Sequence, residues 1–313
     1  MSPFVHLADV WRGPAVESVH HGIAVVADAE GRIVLSLGDP DFATFPRSSL
    51  KPFQAIALVE TGAADALSLT EEHLALACAS HRAEDFHVAL VRDWLGRLGL
   101  DENALACGPD LPRGGADQAA VLRAGGAPSR VFHNCSGKHC GFLSVAKRIS
   151  APVAGYQDPA HATQRLYLDV FSEFLGRDAA TLPRGTDGCS LPALALSVAD
   201  MARAAARFAA AEAAGEERRA AIRRLQAAMR AHPDHLSGRD QATSRIVHAT
   251  GGRVLLKSGA EGFVVGFVPD RGLGLAVKVA DGATRAKMGV LAALISRLGL
   301  LDEDAAARLA EAV

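Results

Sequence analysis

Segments that read as β-strands lie only near the two ends of this chain, and segments that read as helices fill the stretch between them. Near the start, residues 21–37 form two apolar runs around Asp28-Ala-Glu-Gly31, the pattern of a hairpin. Near the end, strand patterns fall at 253–257, 262–268 and 273–280, with Pro269-Asp-Arg-Gly272 as the turn between the last two. The economical way to bury both sets is one antiparallel sheet, assembled from N- and C-terminal segments and packed with helices. The expected fold class is therefore α+β with a mainly helical middle region. Residues 1–313 are read as a single domain, because no repeat, low-complexity linker or composition shift divides them.

The helical signals run in order. One follows Pro46-Arg47-Ser48, with Pro52 confined to the first turn, where its missing N–H costs little. Residues 74–80 are a short apolar run, strand or buried helix. Residues 83–98 are amphipathic, with Phe86, Leu90 and Trp94 on one side. Loops with one short helix occupy 108–128, and His133-Asn-Cys-Ser-Gly-Lys-His139 opens a helix through Val145. Further helices are expected over 160–176, over 193–232 with a break near Gly215, and over 240–249, 283–298 and 302–312.

Net charge is −2, from 33 basic and 35 acidic residues with no block of one sign. That disfavours a nucleic-acid partner and a polybasic membrane anchor. No apolar run approaches the roughly 20 residues of a membrane span, and MSPFVHLADVWRG lacks the pattern of a secretory signal. The expectation is a cytoplasmic protein whose five cysteines are reduced thiols, or metal or catalytic groups.

Of the 33 lysines and arginines only six are lysine, so each lysine is informative. A lysine can lose its proton in a buried site and an arginine cannot. Ser48-Ser-Leu-Lys51 places an amine three residues after a hydroxyl, on one helix face, where it can accept the hydroxyl's proton. Ser144-Val-Ala-Lys147 repeats the spacing but runs into Arg148 and reads as a solvated face. Asn134-Cys-Ser-Gly-Lys-His139 gathers a thiol, a hydroxyl, an amine and an imidazole around one glycine. Asp187-Gly-Cys189 is a turn whose thiol, paired with Cys135, suits a soft metal. Cys78-Ala-Ser-His81 ends a buried run, and Lys257-Ser-Gly-Ala-Glu-Gly262 follows a buried strand; Lys257 there is either a site residue or a solvated strand end. Lys147, Lys278 and Lys287 read as ordinary surface lysines.

Five stretches in series, Arg47–Gln54, Cys78–His81, Asn134–His139, Asp187–Cys189 and Lys257–Gly262, resemble the L-asparaginase II family of the Rhizobium etli type. The resemblance implies a fold like that of serine β-lactamases and penicillin-binding proteins, and hydrolysis of L-asparagine to L-aspartate and ammonia. It implies two Ser–Lys pairs, Ser48 with Lys51 and Ser80 with Lys257. It also implies a zinc site of Cys135, Lys138 and Cys189 with Asp187 beside it, and a homodimer. Within that picture Ser48 is the expected nucleophile and Lys51 its base, although either serine can attack. Arg47 is the expected anchor of the substrate carboxylate, and His139, Glu261 and Asp187 are further substrate contacts. Cys140, directly after His139, adds a thiol that either lies buried or competes for metal and oxidises with Cys135.

Three alternatives remain open. A penicillin-binding or β-lactamase-type acyl-serine hydrolase would want Ser-Asp-Asn and Lys-Thr-Gly elements, and neither tripeptide occurs. A glutaminase of related fold differs in pocket length. A non-catalytic regulator binding zinc or an amino acid would bind tightly without releasing ammonia.

Overall fold

The computed structural model describes every residue except 1, 302, 312 and 313. Its main sheet has six strands: β1 (Val5–Arg12), β2 (Ala15–Asp28), β3 (Ile33–Leu37), β4 (Leu255–Ser258), β5 (Phe263–Val268) and β6 (Leu273–Val279). The order is β1-β2-β6-β5-β4 and all pairs are antiparallel. β1 pairs residues 15–22 of β2 and β3 pairs residues 24–27, so both lie along the edge of β2 opposite β6. The two chain ends thus meet at the β2–β6 ladder, and the sheet is mixed with helices as an α+β arrangement.

β5 and all but the first residue of β6 are buried. Burial on both faces explains why these strands read as continuous apolar runs rather than alternating ones. The helix Val198–Ala209 covers one face, where Ala202 and Ala206 bring its backbone close to Gly274 of β6. A Cβ at Gly274 would sit 2.2 Å from the Ala202 carbonyl oxygen and 2.2 Å from the Ala206 nitrogen. Gly274→Ala is therefore expected to lower stability by about 1–3 kcal/mol through overpacking, read as a shift in the urea midpoint. The helix Thr284–Arg297 covers the other face, with Leu291 against Gly266. Phe53 joins the helical region to the sheet, its ring 5.2 Å from Phe171, 5.5 Å from Phe208 and 6.1 Å from Phe267.

Some local readings change. Of the run 74–80, residues 74–77 lie in the helix Glu71–Ala77, the helical of its two readings, and 78–80 follow it as a turn and loop. The region expected to be helical from 193 begins with short strands, Pro192–Leu194 and Leu196–Ser197, before its first helix. The last helix is Glu303–Glu311; residues 302 and 312 of the expected span lie outside the described residues. Among the described residues no helix is long and apolar enough to cross a membrane.

Candidate active site

Three chain segments converge at the open end of β4. The turn Arg47–Leu50 is pinned to the strand by Ser49 Oγ, which donates to the Lys257 carbonyl at 3.1 Å. Gly259, just past the strand, allows this approach, since a Cβ there would lie 2.4 Å from the Pro46 carbonyl oxygen. From the third segment, the helix Glu71–Ala77 ends two residues before Ala79-Ser80, and the Ser80 N–H is fixed on the Leu236 carbonyl at 2.9 Å.

Ser80 Oγ lies between two amines, 3.1 Å from Lys51 Nζ and 2.8 Å from Lys257 Nζ. Lys51 also donates to the carbonyls of Ala79 and Asn134, and Lys257 to that of Ser258. Both lysines are buried, Lys51 at 0% and Lys257 at 1% exposure. Burial, with the charge of Lys138 adding to it, lowers the Lys51 pKa. Burial, with Lys51 and Lys287 adding to it, pushes Lys257 well below the usual lysine range. Desolvation penalises the charged form, so this pair is built to hold a neutral amine against a serine hydroxyl.

The expected pairing of Lys51 with Ser48 is not what the structure shows: Lys51 reaches Ser80 instead. The spacing is right, but a buried ammonium must find acceptors, and its four-carbon stem carries it to the Ala79 and Asn134 carbonyls. Ser48 lies half-buried on the wall of the same cavity. Arg47 adopts φ +55°, and its Nε and Nη2 donate to Asp187 Oδ1 at 3.0 and 2.7 Å. Its guanidinium is thus committed to Asp187. Burial works to raise the Asp187 pKa, but the hydrogen bonds from Arg47 and the charge of Lys138 outweigh it and hold the carboxyl ionised.

Cys135, Lys138 and Cys189 meet as a buried group. Lys138 Nζ donates to Cys189 Sγ at 2.9 Å. A hydrogen bond from Cys189 is the leading reason that the Cys135 pKa falls well below the ordinary thiol value, with Lys138 and Lys51 adding to it against burial. Cys189 moves the other way for the same reason, with burial adding to it. Burial opposes the Lys138 charge, but the two sulfurs and Asp187 outweigh it and raise its pKa. Among the described residues no three His, Cys, Asp or Glu side chains cluster to hold a metal. Any metal here would therefore need the Lys138 amine beside the two thiols, a soft S/N donor set that suits zinc.

These groups border a cavity of about 570 Å³ whose wall includes Arg47, Ser48, Ser80, Cys135, Asp187, Cys189 and Lys257. Two expected substrate contacts are not on that wall. His139 is fully buried behind it, with Nδ1 2.5 Å from the Tyr156 hydroxyl. Glu261 is exposed on a turn at φ +53°, where its carbonyl accepts from Lys278. Cys140 is fully buried and its thiol pKa is raised by that burial, which fits the silent reading.

Lys287, read from sequence as an ordinary surface lysine, lines the wall as well. It is 2% exposed and donates to the Gly259 carbonyl at 2.6 Å. Burial, then the charge of Lys278, lowers its pKa to about 8. The signal was available: Leu291 and Leu294, one and two turns further on, are buried on the same stripe of the helix. Lys278 is buried too, whereas Lys147 is exposed as expected and reaches the Leu98 carbonyl at 2.6 Å.

The model of the L-asparaginase II family matches residues 8–313. No curated protein matches the chain by sequence. Among solved structures, Mglu in its native form in 4.3 M NaCl superimposes with TM-score 0.52 at 17% identity, covering 90% of this chain and 62% of that one. A second Mglu crystal structure gives 0.51 at 17% identity, covering 89% of this chain and 67% of that one. A β-lactamase from Mycobacterium bovis gives 0.45 at 12% identity, covering 88% and 94%. The chain thus spans about 62% of the first Mglu chain.

Proposed function

The chain belongs to the L-asparaginase II family, and from that premise we propose that it hydrolyses the side-chain amide of L-asparagine to L-aspartate and ammonia, with Ser80 as nucleophile. The observation that carries this reading is the Ser80 hydroxyl held at 2.8 and 3.1 Å by two buried amines. Lys257, whose burial disfavours its charge most, takes the hydroxyl proton as Ser80 Oγ adds to the amide carbon. Lys51, held on the Ala79 and Asn134 carbonyls, supplies a proton to the departing nitrogen, which leaves as ammonia. Water then enters through the open cavity and adds to the aspartyl ester on Ser80; Lys51, now neutral, takes its proton, and Lys257 returns its proton to Ser80 Oγ as the ester C–O bond breaks. Arg47 and Asp187 brace each other at the wall, so Asp187 remains an acceptor for the substrate amine.

Cys135, Lys138 and Cys189 would hold zinc, which when bound supplies a Lewis acid and an anchor for a substrate heteroatom. Lys138 must lose its proton to serve, so metal loading is expected to release protons and to weaken as pH falls. Cys135→Ala is expected to lose its zinc, measured by metal analysis of the purified protein. Zinc content equal to wild type would contradict this ligand set.

The reading as a whole is tested by ammonia release from L-asparagine and L-glutamine with purified, metal-replete wild type. Release from L-asparagine, faster than from L-glutamine, is expected. No release from either would overturn the amidohydrolase assignment.

A further inference from the structure

We propose that Lys287 anchors the α-carboxylate of the substrate, a role that rests on the amino-acid amidase reading above for the identity of its ligand. The other cations on the cavity wall are committed. Arg47 is held by Asp187, the one carboxylate among the described residues of the wall, and Lys257 by Ser80 and the Ser258 carbonyl. Arg82 donates to the Arg113 carbonyl and to Gln241, and Arg113 lies 3.7 Å from Asp110. Among the described residues Lys287 meets one hydrogen-bond acceptor, the Gly259 carbonyl, and no carboxylate within salt-bridge distance.

A buried amine with one neutral acceptor and no counter-charge is costly to keep charged, so an anion arriving beside it is favoured. With its pKa lowered only to about 8 by burial, the amine is still mostly charged at neutral pH. Its position fits a small amino acid. Lys257 sits on the Ser258 carbonyl and Lys287 on the next one, Gly259. Successive residues are about 3.8 Å apart at Cα, so reaction centre and anchor are set one residue apart along the same short turn. The cavity also has space: even at the ~30 Å³ that liquid water takes per heavy atom, asparagine fills roughly half of it. Arg47, the anchor expected from sequence, has its charge already paired with Asp187, to which Nε and Nη2 both donate.

The test compares binding of L-aspartate with that of β-alanine, which keeps the amine and the side-chain carboxylate but lacks the α-carboxylate. Wild type, Lys287→Met and Lys287→Gln are titrated by calorimetry or NMR. Gln keeps a donor for the Gly259 carbonyl and guards against a folding defect in the Met variant. Loss of a charged hydrogen bond is expected to weaken L-aspartate about 10- to 100-fold in both variants, with β-alanine unchanged. Equal losses for the two ligands, unchanged L-aspartate affinity, or no L-aspartate binding by wild type would each overturn the proposal. Lys287-dependent L-aspartate binding without ammonia release from any amide would instead leave the subsite standing and sink the amidase reading.

Discussion

Ser80→Ala is expected to cut kcat for ammonia release by roughly 10⁴-fold or more, the scale seen when a nucleophile is removed from a group of residues that act together. The effect is large because Ser80 Oγ is the point on which both buried amines converge. Without it neither lysine has an acceptor–donor partner positioned for proton transfer. Substrate binding rests on other residues, so KM should change little. Ser48→Ala is expected to be much milder, since Ser48 shares the cavity wall but Lys51 does not reach it. Steady-state ammonia release for both variants, with circular dichroism as a check on folding, reads the contrast. Equal losses at the two serines would show that Ser48 is as central as the family resemblance suggested.

Lys257→Met is expected to lower kcat about 10²- to 10⁴-fold, the usual contribution of a positioned base. It should also remove the acid limb of the rate profile. Burial, with Lys51 and Lys287, moves the Lys257 pKa well below its ordinary value. Above that lowered pKa the amine is neutral and can accept the Ser80 proton; as pH falls through it, the amine protonates and the rate drops. Wild-type kcat should therefore rise with pH from the acid side and level off well below the ordinary lysine pKa. The residual rate of the Met variant should lack that step. A residual rate that keeps an identical acid limb would assign the titration to another group.

What the sequence disclosed was set by burial. Strands β5 and β6 were legible because their two covered faces demand unbroken apolar runs, punctuated by Pro269 and Gly272. β1 was not: VHLADVWR lies on an edge with most side chains exposed, so no periodic pattern is imposed on it. The short ladders around Leu194 and Leu196 were hidden by the alanine-rich helix that follows.

In the site, residue types and proximity were legible while pairing was not. A motif such as Ser48-x-x-Lys51 fixes where a lysine stem starts, whereas the tertiary arrangement of the Ala79 and Asn134 carbonyls decides where its amine ends. His139 and Glu261 illustrate the same limit. Each sits one or two residues from a cavity-wall residue or metal-site candidate, yet the helix turns His139 toward Tyr156 and the left-handed turn leaves Glu261 in solvent.

The proposed mechanism assigns the attack to one hydroxyl, that of Ser80, between two lysines. Its most direct test is ammonia release from L-asparagine by wild type, Ser80→Ala and Ser48→Ala, measured side by side at equal zinc content. Release by wild type, reduced but measurable release by Ser48→Ala, and none above the blank by Ser80→Ala are expected. Turnover by Ser80→Ala comparable with wild type would contradict this assignment.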